Sequence, residues 1–274
     1  MTPRRRGPLR WGLAALALIV AAGLLVDFGY AAAAEYRLSR TIRSAAGFTA
    51  DPEVTIAGFP FMTAARDGRY RRVNITEPAV PLPKGHSAKL EADLDDVRLP
   101  SGTTMVDAST PMRIGSVEAR VRLDQKNIGR YLGIVDLTVH TPVPGRVAGA
   151  GSPADGLVKS STGVVLTGTV PLPEPGDADR KVSVSVASDM STHDGGVAIT
   201  ATRIYTGPEE HATPRLRPGD EPRVLAAFTK VLPAIALPFG LAPTGARGEN
   251  ADIVLFASAH DVTKTPGDFY RVGV

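Results

Sequence analysis

Val117-Glu118-Ala119-Arg120-Val121-Arg122-Leu123 alternates strictly between apolar and charged side chains. Successive residues of a strand point to opposite faces, so Val117, Ala119, Val121 and Leu123 line one face and Glu118, Arg120 and Arg122 the other. Such a strand belongs to an antiparallel sheet with one face covered and one wet. The same reading extends outward in both directions. Leu90–Leu94 alternates, then continues to Val97 and Leu99 past a bulge predicted at Asp95-Asp96. Lys181–Ala187 sets Val182, Val184 and Val186 against Ser183 and Ser185. Further strands are predicted at Val54–Ile56, at Tyr70–Ile75 behind the Asp67-Gly68 turn, around Val135, Leu137 and Val139, and at Thr162–Val170, Val197–Tyr205 and Ala251–Ala259, roughly eight in all. No strand–helix–strand rhythm argues for a parallel-sheet enzyme.

Helical periodicity lies toward the two ends. Ala34, Leu38, Ile42 and Ala45 recur at helical spacing, with Glu35, Arg37, Arg40 and Arg43 on other faces, and Gly47 is placed to cap a helix over 31–46. Pro222–Leu232 reads as a second helix, with Asp220 near its cap, Pro222 in its first turn, and an apolar stripe of Val224, Leu225, Phe228, Val231 and Leu232. Gln125–Leu132 fits a short helix, and Val143–Gly156 and Glu209–Pro218 read as loops. The fold class is therefore α+β. Val80-Pro81-Leu82-Pro83 and Val170-Pro171-Leu172-Pro173 each lead through a turn into an alternating strand, by internal duplication or by chance recurrence of a short motif.

The N-terminus gives the address. Arg4, Arg5, Arg6 and Arg10 precede an apolar run from Trp11 to Val26, which Asp27 interrupts before Phe28, Tyr30 and the alanines 31–34. A basic flank before an apolar segment leaves the basic end in the cytoplasm and exports the rest of the chain. As a helix the run spans roughly 24 Å, against about 30 Å for a hydrocarbon core. Two outcomes stay open: a signal peptide cleaved near Ala33 or Ala34, or an anchor running straight into the amphipathic helix. The expected organisation is 1–34 as signal peptide or anchor and 35–274 as a single domain in the cell envelope, on the extracytoplasmic face of the membrane.

Charge and composition remove several function classes. The chain carries 31 Lys and Arg against 28 Asp and Glu; without the four N-terminal arginines and Asp27, 27 of each sign remain. A neutral exported part has no excess of positive charge to neutralise phosphates, so nucleic acid is not an expected partner. There is no cysteine, hence no disulfide, thiol chemistry or Cys-ligated zinc. His86, His140, His193, His211 and His260 form no H-x-x-x-H or H-E-x-x-H pattern. His193-Asp194, in a Thr-His-Asp-Gly-Gly turn, and His260-Asp261, at a strand end, read as ordinary polar turn and strand-end residues before they read as a base or metal pair. No G-x-S-x-G elbow occurs. Asp93 and Asp95 share a strand face opposite Leu94, the solvent face. The expectation is a non-enzymatic protein without cofactor or metal.

What stands out is apolar and sits in turns. Gly58-Phe59-Pro60-Phe61-Met62 packs two phenylalanines and a methionine around a proline, and Leu237-Pro238-Phe239-Gly240-Leu241 repeats the theme near the other end. Turns normally face water, so apolar turns need a cover: the protein's own core, another chain, a bilayer or a lipid. Around these residues the sequence resembles the LmeA-like phospholipid-binding proteins of the actinobacterial cell envelope. The resemblance is carried by the basic-apolar N-terminus running into an Ala/Arg-rich helix, by DPEVTIAGFPFMT (51–63), by GRYRRVNIT (68–76), and by LPFGL (237–241) before a terminal strand. It implies a fold similar to tubular lipid-binding domains, with a curved antiparallel sheet wrapped around a long N-terminal amphipathic helix, a second helix near the C-terminus and an apolar groove. It also implies phospholipid as partner, membrane contact through the N-terminal segment, and a role in envelope maintenance that extends in some members to mannan-type lipoglycan. Phe59, Pro60, Phe61, Phe228, Phe239 and Leu241 are the candidate lining of that groove or of its mouth, and Arg69, Arg71 and Arg72 are either headgroup contacts or a solvated strand face. Two other classes remain: an anchored module that docks an envelope protein through its apolar turns, and a glycolipid-acting enzyme built on the histidine–aspartate pairs.

Overall fold

A computed structural model describes residues 7–82, 85–101, 103, 107–141, 163–193, 195–206 and 216–270. The Val143–Gly156 loop, Asp194, His211 and much of the Glu209–Pro218 loop lie outside them. In chain order the described elements are α1 (Gly7–Ala46), β1 (Glu53–Ala57), α2 (Phe61–Asp67), β2 (Arg69–Leu82), β3 (His86–Arg98), β4 (Met112–Asp124), α3 (Gln125–Leu132), β5 (Thr138–His140), β6 (Val164–Pro171), β7 (Lys181–His193), β8 (Gly196–Ile204), α4 (Asp220–Phe228), β9 (Lys230–Val231), β10 (Gly245–Glu249) and β11 (Asp252–Lys264). The fold is α+β, with a long N-terminal helix, antiparallel strands and a helix near the C-terminus. The strands form two sheets, ordered β1-β2-β3-β4-β11-β10 and β5-β6-β7-β8-β9.

The chain divides into two compact units: residues 1–75, 93–117 and 260–269 in one, and 76–92, 118–259 and 270–274 in the other. In the first, α1 packs on β1, on α2 and on the 3-10 turn Pro266–Asp268. Its contact is confined to the second half of the helix: Trp11–Val26 is exposed throughout, whereas Asp27, Leu38, Ser39 and Ile42 are buried. Gly47 ends α1 at a φ of 70°, the left-handed conformation a helix stop asks of glycine. Phe48 then lies edge-on to Phe269, ring centroids 6.2 Å apart. Where a bulge is predicted, the alternation slips by one residue, with Leu94 and Val97 both buried and Asp95 and Asp96 between them, and Asp96 sits at a φ of 51°.

In the second unit α4 lies on β6, β7 and β8. β6, β7 and β8 form an antiparallel meander whose valines Val164, Val170, Val184 and Val186 are fully buried. β10 packs against β7, and a Cβ on its Gly248 would come within 2.5 Å of Val164 Cγ1 at the start of β6, a close approach that suits glycine. α3 forms where the sequence places it because Asp124 caps it, accepting from the Asn127 N–H at 2.7 Å. The alternation of β4 holds: Val117, Ala119, Val121 and Leu123 are buried, while Arg120 and Arg122 on the other face bond Glu118, Glu91 and Glu249. Burial raises the Glu91 pKa, but hydrogen bonds and charge from Lys89 and Arg122 outweigh it and leave the carboxyl below its ordinary value.

Three elements differ from the sequence expectation. α2 occupies what reads as a turn. The helix predicted over 222–232 stops at Phe228, because the Thr229 hydroxyl donates to the Leu225 carbonyl and accepts the Ala201 N–H, turning the chain into β9. β10 carries the pattern Gly-Ala-Arg-Gly-Glu, too short and glycine-rich to register as a strand without its partner β11.

Candidate functional site

The apolar turns are built differently in the two units. In the first, β1 runs into Gly58 at a φ of 153°, Phe59 and Pro60 come next, and α2 begins at Phe61. Pro60 is the N-cap residue of α2 and offers no side-chain hydrogen bond to it. The cap comes instead from α1, 34 residues upstream: Asp27 Oδ2 accepts the Phe61 N–H and Oδ1 accepts the Met62 N–H, each at 2.8 Å. Next to that clamp the Phe28 ring stacks on Phe59, centroids 6.2 Å apart and planes 26° apart. Lower on α1, Glu35 Oε1 accepts the Ile56 N–H at 2.7 Å and the Ser39 hydroxyl donates to the Pro52 carbonyl. Phe61 turns inward, buried beside Tyr70. Phe28, Phe59 and Met62 stay outside, 63, 65 and 47% exposed.

In the second unit, Phe228, Leu232, Ile235, Leu237 and Phe239 are all buried. The Leu232 N–H donates to Val197 O at 2.7 Å, and a Cβ on Gly196 would meet the Leu232 carbonyl at 2.4 Å, so the strand edge accepts this segment only with glycine there. Phe239 sits at φ 59°, ψ 19° inside a 3-10 turn. A left-handed non-glycine backbone costs on the order of 1–2 kcal/mol, and here the buried ring offsets it. Leu241 is half-buried. A buried pair, Arg180 and Asp220 at 2.6 Å, ties the loop before β7 to the start of α4. Hydrogen bonds from the Arg180 side chain and the Arg217 backbone hold the Asp220 carboxyl down to about 2.

The six candidate residues therefore fall into three that water reaches (Phe59, Pro60 and Leu241) and three that it does not (Phe61, Phe228 and Phe239). Phe59, Pro60 and Phe61 belong to the first unit, and Phe228, Phe239 and Leu241 to the second. Arg69, Arg71 and Arg72 are exposed; Arg72 pairs with Asp95 at 2.7 Å. His260 is exposed on β11, and Asp261 lines a polar depression of about 410 Å³ with Asp96, Arg98, Arg113 and Thr263. Among the described residues no group of three or more His, Asp or Glu is arranged to hold a metal ion. What sequence reasoning missed is Asp27. Its only signal was a lone carboxylate closing an apolar run.

An exposed apolar stretch of α1, Trp11–Val26, precedes the antiparallel α+β body and is compatible with a signal anchor in a membrane. α1 contains a segment long and apolar enough to cross one. The family model of LmeA-like phospholipid-binding proteins matches residues 25–258, and the chain belongs to that family. No curated protein and no solved structure matches the chain.

Proposed function

We propose that this protein is a non-enzymatic phospholipid-binding protein of the cell envelope, exported to the outer face of the membrane and working in the upkeep of envelope lipid or of mannan-type lipoglycan. The family match over residues 25–258 carries the reading. The composition supports it: a body of balanced charge with apolar turns suits acyl chains, each buried methylene contributing about 0.8 kcal/mol. In this reading Phe59 and Pro60 of the first unit and Leu241 of the second each meet hydrocarbon, while Phe61, Phe228 and Phe239 pack the interiors of their own units. The test is native mass spectrometry of the full chain after exchange into a delipidating detergent and incubation with anionic liposomes. Retained phospholipid is the expected result; none retained and none taken up overturns the proposal.

A second reading has one observation in its favour. Phe228 and Phe239 are packed to 0 and 1% exposure, as in a solid domain that docks an envelope protein rather than accepting a lipid. It predicts a crosslinked protein partner and no bound phospholipid.

A further inference from the structure

We infer that the N-terminal helix is a permanent part of the fold rather than a removable signal, and that Asp27 locks it to the Gly58–Met62 turn so that Phe28, Phe59 and Met62 sit in the outer leaflet of the bilayer that residues 11–26 cross. This inference stands independently of phospholipid binding as a function.

The docked stripe of α1 begins at Asp27, not at residue 35. Asp27, Ala31, Ala34, Leu38 and Ile42 succeed one another at three- and four-residue steps, and all five are buried or half-buried. Cleavage after Ala33 would sever the first two of these from the rest, and cleavage after Ala34 the first three. It would also leave α2 uncapped, because its own N-cap residue is a proline and both oxygens of Asp27 are spent on the first two N–H groups of that helix. The buried Phe61 N–H without its partner is costly, so the clamp belongs to the folded state. The family match starts at residue 25, upstream of either cleavage point.

The occupant of the exposed aromatic patch is set by continuity. Val26, the last residue of the apolar run, is 50% exposed, and Phe28 on the same helix stacks on Phe59. Residues 11–26 use up roughly 24 Å of bilayer, so Asp27 and its neighbours come to the level where hydrocarbon meets headgroups. Apolar rings at the edge of the hydrocarbon gain by leaving water, and Tyr30 on the same helix, 58% exposed, is of the residue type enriched at that level. A carboxylate there is tolerated when its oxygens are bonded, as they are.

The test takes the full chain. Intact mass of protein extracted from carbonate-washed membranes should give the uncleaved N-terminal helix; a product beginning near residue 35 in the soluble fraction overturns the inference. Depth is read separately. In a Trp11→Phe, Phe59→Trp variant reconstituted in nanodiscs, emission from the indole introduced at position 59 should shift to the blue and be quenched by lipids brominated near the carbonyl. Quenching by aqueous iodide instead, with no effect of brominated lipid, overturns the placement of the turn and points to a protein as its cover. Asp27→Ala should lose amide-exchange protection at Phe61 and Met62 while the β6–β8 amides stay protected; unchanged protection at Phe61 and Met62 overturns the lock.

Discussion

Phe59 and Phe239 both lie in short apolar turns beside a proline, yet Phe59 is 65% exposed and Phe239 1%. The difference does not come from composition. It comes from what the adjoining backbone is bonded to. After Phe59 the chain starts a helix whose first N–H groups are taken by Asp27, which fixes the turn at the end of an exposed apolar helix. Around Phe239 the chain runs along β8, with Leu232 bonded to Val197, and Leu237 and Pro238 buried beside it, so the ring is driven inward even at the cost of a left-handed backbone. One turn is held out by a distant carboxylate, and the other is drawn in by its own neighbours.

The comparison can be broken by substitution. Phe239→Ala removes a fully buried ring and should cost about 3–5 kcal/mol of stability, read by denaturant unfolding; a loss below about 1 kcal/mol would place that ring outside the core. Asp27→Ala should cost less, about 1–2 kcal/mol, the usual worth of a helix cap. Its effect should be concentrated in α2, so a uniform loss of protection across the chain would contradict the assignment. The buried turn also has its own aspartate. Asp220 has a folded pKa of about 2, against about 3.9 in an unfolded chain, so it adds stability that is fully present above pH ~4 and is lost as pH falls through about 2. Melting temperature between pH 5 and 2 should fall more steeply for the native chain than for Asp220→Asn; parallel curves would contradict the pairing with Arg180. The smallest effect on stability belongs to Phe59→Ser, within about 0.5 kcal/mol, although partition of the protein's turn into bilayers should be lost.

The strands were legible because their period is local: alternation in Val117–Leu123 and Lys181–Ala187 needs no partner to be read, and Gln125–Leu132 was legible as a short helix, although its Asp124 cap was not read. Gly47 was readable from backbone preference, and the irregularity at Asp95-Asp96 from the break in alternation. The failures share one cause, which is that the deciding contact lies far along the chain. α2 is invisible in Phe61–Asp67 because its cap is supplied from residue 27. β10 exists by pairing with β11. The premature end of α4 depends on a backbone N–H of β8. At the site, the two phenylalanine turns were legible as apolar turns from their composition, but which of them faces outward was not, since nothing in either motif records where its hydrogen-bond partners are.

The most direct measurement is photocrosslinking of the membrane-embedded full chain with a phospholipid carrying a photoactivatable acyl chain, combined with peptide mapping. Phospholipid binding by the body of the protein predicts labelled peptides beyond residue 68, including those holding Phe228 to Leu241, that disappear when unlabelled phospholipid competes. Label confined to residues 11–62, unaffected by competitor, would contradict it and leave a domain that touches the membrane without taking lipid from it.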